Sequence, residues 1–225
     1  MGERLFVIGQ KLYAVFLDIL FPVGCIGCGK EGTSLCLSCI SGCKLLSENP
    51  GKETYALFSY KDPLIRHSIW MLKYKNRPGI VENLGKVLYE KILEEYIDLR
   101  DFSNFDNPIL MPIPLSEKRL RERGYNQAEK IARVIKFYDN EKLFTLETSV
   151  LYRNRNTKRQ ANIRDRRERL YNLTDCFSVR NKEKISNRNI ILLDDVVTTG
   201  ATLSEARAIL KKSGAKRVIA FTIAH

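Results

Sequence analysis

Asp194, Asp195, Thr198, Thr199 and Thr202 fall within nine residues of the 225-residue chain, in the run Asp194-Asp195-Val196-Val197-Thr198-Thr199-Gly200-Ala201-Thr202. Two carboxylates accept hydrogen bonds from vicinal hydroxyls, as an acidic residue does for the ribose of a dinucleotide. Threonine hydroxyls and the unpaired N–H groups of a tight turn donate to a phosphate monoester without any lysine. One short segment thus carries both halves of a ribose 5-phosphate site.

Such a set works only if a strand and a helix hold it. Ile190–Leu193 is an unbroken apolar run with β-branched members, the pattern of a strand buried on both faces of a parallel sheet. The carboxylates stand at its end, and Val196 to Ala201 is a turn. A helix follows, with Thr202-Leu203-Ser204-Glu205 as a capping box and Leu203, Ala206 and Leu210 on one face. Lys211 and Lys212 suit its C-terminal end, and Gly214 stops it. The stretch resembles the phosphoribosyl pyrophosphate (PRPP) motif of type I phosphoribosyltransferases, in which two acids precede a Thr-Thr-Gly turn. That resemblance implies that residues 194 to 202 bind PRPP, with Asp194 and Asp195 also the catalytic carboxylates. The competing reading is an Asp- and Thr-rich turn on a surface loop.

Five of the six cysteines lie between Cys25 and Cys43. Cys25-Ile-Gly-Cys28 and Cys36-Leu-Ser-Cys39 form two knuckles separated by seven residues, the spacing of a tetrahedral thiolate site. Structural zinc held by Cys25, Cys28, Cys36 and Cys39 is the expectation, with Cys43 able to replace one of the four. A disulfide framework needs an oxidising compartment, and the chain shows no signal peptide, so a cytoplasmic protein is expected. Cys176, beside Phe177, reads as a buried small hydrophobe.

The formal net charge of +12 makes polyanions plausible partners, nucleic acid and phosphorylated metabolites alike. Leu5 to Phe21 is apolar but is interrupted by Gly9, Gln10, Lys11 and Asp18, too short and polar for a membrane span. It reads as an amphipathic helix packed on the body, with membrane-surface contact the alternative. A domain boundary is expected in the Ser-, Asn-, Pro- and Gly-containing linker Lys44 to Glu53. Residues 1–47 then form an N-terminal helix and metal module, and residues 54–225 the main α/β domain.

Within that domain Thr54 to Tyr60 reads as a strand, and Pro63 opens a helix that ends in Lys73-Tyr74-Lys75-Asn76-Arg77-Pro78-Gly79. This segment, with Trp70 nearby, can stack a base and hold a phosphate. Alternatively it is a basic helix end with Trp70 in the core. A longer helix covers Ile80 to Arg100, and Ile109 to Pro114 is a strand with its exit. Four of the six residues from Lys118 to Arg123 are cationic. Arg119, Arg121 and Arg123 either clamp a diphosphate at the strand C-termini or form a solvated basic loop. Arg153 to Arg169 holds eight cations against two acids. It reads as a mobile arm that closes on a polyphosphate or tracks a nucleic-acid backbone. Val218 to Ala224 is the last strand, and His225, at the terminus, is a poor candidate catalyst.

Taken in order, the Cys25 to Cys39 knuckles, Lys73-Tyr74, Pro112-Ile113-Pro114 and Arg119-Leu120-Arg121-Glu122-Arg123-Gly124-Tyr125-Asn126-Gln127 resemble the ComF/ComFC family. So do Gln160, Arg169, Asn172, Phe177 and the run Leu193 to Thr202. Tyr125 stands where the family usually has phenylalanine. The resemblance implies a type I phosphoribosyltransferase-like parallel sheet with flanking helices, preceded by a small four-cysteine zinc module. It also implies PRPP binding, with magnesium entering alongside the diphosphate, and a part in DNA uptake during natural transformation. Single-stranded DNA and other competence proteins are the implied partners. Lys158 and the three arginines are the implied diphosphate or DNA contacts. Whether the pocket turns over as a phosphoribosyltransferase, or senses PRPP and binds strands without turnover, is left open, as is the acceptor.

Overall fold

The computed structural model describes residues 23–153 and 176–225. The expected N-terminal helix, Asn172 and most of the basic arm, including Lys158, Gln160 and Arg169, lie outside them. The described elements are α1 (Leu37–Ser41), β1 (Thr54–Phe58), α2 (Pro63–Tyr74), α3 (Pro78–Ser103), β2 (Ile109–Pro112), α4 (Glu117–Arg123) and α5 (Gln127–Tyr138). After them come β3 (Thr145–Leu146), β4 (Leu151–Arg153), β5 (Phe177–Val179), β6 (Asn189–Val196), α6 (Ala201–Lys212) and β7 (Arg217–Ala224).

Five strands make one parallel sheet in the order β1-β7-β6-β2-β3, and β4 pairs with β5 in a separate antiparallel ribbon. Ile190–Leu193 of β6 and Val218–Phe221 of β7 are continuous apolar runs because both faces of the sheet are covered. Alternation along β6 divides the core. Ile191 and Leu193 join a cluster with Ile65, Ile69, Leu84 and Ile131 of α2, α3 and α5. Ile190 and Leu192 join one with Leu203, Ala206 and Leu210 of α6 and with Leu151 and Phe177 of the ribbon. The same parity fixes where the carboxylates that follow must point. Asp194 continues toward α6 and the ribbon, and Asp195 toward α2.

The cysteine segment packs on the first of these cores. Leu35, Ile40 and Cys43 are buried in the cluster of α2 and α3, and Asn83 of α3 donates to the Leu35 carbonyl at 2.6 Å. The Lys44–Glu53 stretch, expected to be a linker, pairs back along β1, with Leu46 N donating to Leu57 O at 3.0 Å and Leu45 bridging Phe58. β1 itself stops at Phe58 rather than Tyr60, because Ser59 and Tyr60 turn toward Asp62. That aspartate caps α2 by accepting from the N–H groups of Leu64 and Ile65.

α3 and α5 touch closely at Gly85, where an added Cβ would lie 2.7 Å from Val134 Cγ1. Alanine gains about 1 kcal/mol of helix propensity here, but the overlap costs about 1–3 kcal/mol in a packed core. Gly85→Ala is therefore expected to be neutral to destabilising by up to about 2 kcal/mol, read as a lowered urea midpoint with an unchanged m-value. A raised midpoint would show that the helices separate freely.

Candidate functional site

β6 ends between β7 and β2, with Asp194 opposite Thr222, Val196 opposite Ala224 and Pro112 opposite Leu193. The C-terminal ends of three parallel strands thereby share one rim, the position where open α/β sheets bind ligands. Asp195 Oδ2 lies 3.2 Å from Lys73 Nζ of α2, a largely buried ion pair. Asp194 accepts from the N–H of Asp195 at 2.9 Å. Burial first, and the neighbouring charge of Asp195 second, push the Asp194 carboxyl up to about 7, against the opposing pull of that N–H and of Lys73 and Arg153.

This shift has a defined sign. Between the ordinary carboxyl value of 3.8 and about 7 the folded chain holds a proton that the unfolded chain has released. Unfolding free energy therefore falls as pH rises through that window. Asp194→Asn is expected to flatten this slope and to melt above the parent at pH 8. Thermal melts of both proteins from pH 5 to 8 check it, and parallel pH profiles would contradict the burial argument.

Beyond the strand the chain turns at Val197–Gly200. Val197 N donates to Ala224 O at 3.0 Å, and the Val197 carbonyl accepts from His225 Nδ1 at 3.0 Å. The terminal histidine thus braces the turn, a role its sequence position did not suggest. Gly200, at φ +72°, is the N-cap of α6, and this left-handed backbone suits glycine. The helix therefore begins at Ala201, one residue before the expected capping box. The box does not form: α6 has no side-chain cap, and Glu205 instead accepts from the N–H of Cys176. An uncapped end leaves donors free. The N–H groups of Thr198, Thr199, Gly200 and Thr202 have no hydrogen-bond partner among the described residues, while Thr199 Oγ1 accepts from Ala201 N at 3.4 Å. Thr198 and Thr199 are exposed and Thr202 is half-buried. Exposed threonine hydroxyls and free N–H groups at the start of a helix are donors of the kind that can hold an anion.

The basic segment, read as either a diphosphate clamp or a solvated loop, is the helix α4, capped by Ser116, whose Oγ accepts from Arg119 N at 3.4 Å. Arg119 and Arg121 are exposed, and Arg121 pairs with Glu117 at 3.2 Å. Arg123 is half-buried. It donates to Gln127 Oε1 at 3.0 Å, and its guanidinium lies 5.4 Å from the Tyr74 ring centroid. The three arginines thus do not converge on one point. Next to them, Tyr125 and Asn126 tie the site's elements together. The Tyr125 hydroxyl donates to Leu72 O at 2.8 Å and accepts from Asn76 N at 3.0 Å. Asn126 Nδ2 donates to Ile113 O at 2.9 Å, while its Oδ1 caps α5. These bonds hold the end of α2, which carries Lys73, and the exit of β2. The sequence marked both residues only through the family resemblance.

Cys25, Cys28, Cys36 and Cys39 place their Sγ atoms within 4.8 Å of one another, with Cys28 and Cys36 3.7 Å apart. Tetrahedral thiolates at about 2.3 Å from zinc stand about 3.8 Å apart, so the donor set fits such an ion. Burial opposes ionisation of Cys25, but backbone N–H bonds from Cys28, Cys36 and Gly27 outweigh it and hold the thiol at about 6. A metal-ready thiolate is thus formed by the fold itself. Contacts among the four sulfurs, Cys36 first, raise Cys39 to about 12, the penalty of crowding thiols that a dication would relieve. Cys43 is not a fifth member. Its Sγ donates to Cys39 O at 3.3 Å, and burial, then Asp62, raises it to about 11.

Comparison with known proteins agrees with this architecture. Residues 120–225 match the model of the "Phosphoribosyl transferase domain" family. The chain is 37% identical to "Competence protein ComFC" of Bacillus subtilis over 76% of its own length and 64% of that protein's. It is 28% identical to "Competence protein F" of Haemophilus influenzae, with coverages of 88% and 82%. It is also 28% identical to "DNA utilization protein YhgH" of Escherichia coli K12, with coverages of 86% and 80%. The chain belongs to the ComF/ComFC family. As a ComF-family chain it joins a four-cysteine cluster able to hold a metal such as zinc to a phosphoribosyltransferase-type parallel sheet. No helix among the described residues is long and apolar enough to cross a membrane.

Proposed function

We propose that this chain is a competence-related phosphoribosyltransferase-like protein that binds PRPP at the rim of β6. The observation that carries the reading is the succession of Asp194 and Asp195 and the uncapped turn with free N–H groups at Thr198, Thr199, Gly200 and Thr202. The turn, with the Thr198, Thr199 and Thr202 hydroxyls, holds the 5-phosphate. Asp194 and Asp195 accept from the ribose hydroxyls and set the sugar's orientation. Lys73 leaves Asp195 for the diphosphate as the hydroxyls replace it. Transfer breaks the bond from C1 to the diphosphate and forms one to a nucleophile, through an oxocarbenium-like centre that needs placement and charge stabilisation rather than covalent help. Magnesium bound with the diphosphate would supply further neutralisation there. Isotope-labelled PRPP incubated with bases, amines and single strands, with pyrophosphate release followed, distinguishes a transferase from a PRPP binder.

A second reading, direct binding of single-stranded DNA in natural transformation, is favoured by the net charge of +12 and by the names of the relatives. Strand affinity is then expected to fall steeply between 50 and 200 mM salt, about tenfold or more. Salt-independent affinity would remove this reading.

A further inference from the structure

α2 buries Ile65, Ser68, Ile69 and Leu72 on the sheet. With 3.6 residues per turn, the opposite face carries His67, Trp70 and Tyr74. The structure overturns the alternative that placed Trp70 in the core: Trp70 is 48% and Tyr74 59% exposed. Their ring centroids are 5.8 Å apart, and His67 meets Trp70 edge-on at 6.1 Å. Cations flank both rings, with Lys75 Nζ 5.7 Å from the Trp70 centroid and the Arg123 guanidinium 5.4 Å from that of Tyr74. Lys73, paired with Asp195, lies next to Tyr74 and about 4.5 Å along the helix from Trp70. The aromatic face therefore runs up to the carboxylate rim.

We infer that Trp70 and Tyr74 form a stacking platform for a nucleobase whose phosphate is held by Lys75 and Arg123, so that the rim pocket works beside a base-bearing ligand. The pocket's part in this rests on the PRPP reading; the platform rests on the α2 face alone. The chemistry around the rings selects the ligand. From Pro63 to Arg77 there is no acidic residue, and Arg66, Lys75, Asn76 and Arg77, on α2 or just beyond it, are all exposed. A hydrophobic protein partner would meet a cation beside each ring, whereas a flat base with an attached phosphate satisfies ring and cation together. A free nucleotide and a nucleotide unit of a single strand present the same base and phosphate, and experiment separates these sources.

Trp70 is the chain's sole tryptophan, so emission of the full-length protein reports on the platform directly. The titrants are a mononucleotide, a short single strand and an abasic strand of equal charge. Quenching by base-bearing ligands, with the abasic strand bound about tenfold more weakly, is the expected result. Tyr74→Ala should weaken base-bearing ligands about tenfold while leaving abasic-strand and PRPP affinity unchanged, and Tyr74→Phe should restore most of the loss. A response to the mononucleotide assigns the platform to free nucleotides, and a response to the strand alone assigns it to polymers. Equal affinity for base-bearing and abasic ligands, or a Tyr74→Ala protein unchanged toward all of them, would overturn the inference. PRPP affinity is measured on the same proteins, so its absence alongside intact stacking would count against the pocket and not the platform.

Discussion

Removing the zinc expected in the cysteine cluster, by chelation or by Cys25→Ser with Cys28→Ser, should lower the melting temperature of the whole chain on the order of 10 °C. The reason is continuity of the core. Leu35 and Ile40 lie in the same buried cluster as Ile65, Ile69 and Leu84, so loss of the cysteine fold uncovers part of the apolar core of α2 and α3. Burying two such side chains contributes about 3–6 kcal/mol, and a domain of this size shifts about 2–4 °C per kcal/mol. Metal binding to four thiolates supplies on the order of 10 kcal/mol, enough to hold the segment folded. Scanning calorimetry with a parallel metal assay reads both quantities. A zinc content near zero in protein purified without chelator, with an unchanged melt on chelation, would remove the metal from the account.

Replacing Asp194 and Asp195 together by Ala should abolish PRPP binding without unfolding the protein. Hydrogen bonds to charged groups contribute about 1.5–3 kcal/mol each, so losing both weakens binding at least about a hundredfold. Stability should not follow. Removing Asp194 relieves a carboxyl whose charged form burial disfavours, and Lys73, left by Asp195, keeps access to water. The relieved Asp194 carboxyl offsets the lost Lys73 pair, and the double variant is expected to melt close to the parent temperature at pH 8. This separation of binding from folding is what makes the variant informative.

Much of this was legible in the sequence because it is local. Residues 190 to 202 carry their own strand, turn and helix start, and the Cys-x-x-Cys spacing brings ligands together over a few residues. The helix opened by Pro63 and the longer one over Ile80 to Arg100 lie within about one turn of the observed α2 and α3. What escaped the sequence depends on contacts far apart in the chain or on very short elements. Lys73 meets Asp195 across 122 positions because strand parity turns one carboxylate toward α2. β3, β4 and β5 are two or three residues long, too short to show a period. Glu205 completes a capping-box pattern on paper, yet it is drawn to the Cys176 N–H while Gly200 starts the helix early. Trp70 has the composition of a core residue, and only the packing of its helix shows it facing solvent.

Isothermal titration of PRPP with magnesium into the parent and the Asp194→Ala, Asp195→Ala protein at pH 8 decides whether the β6 rim is a PRPP pocket. Saturable binding near one PRPP per chain in the parent, and none in the equally stable double variant, is the predicted result. Equal affinity in both proteins, or no heat of binding in the folded parent, would contradict it.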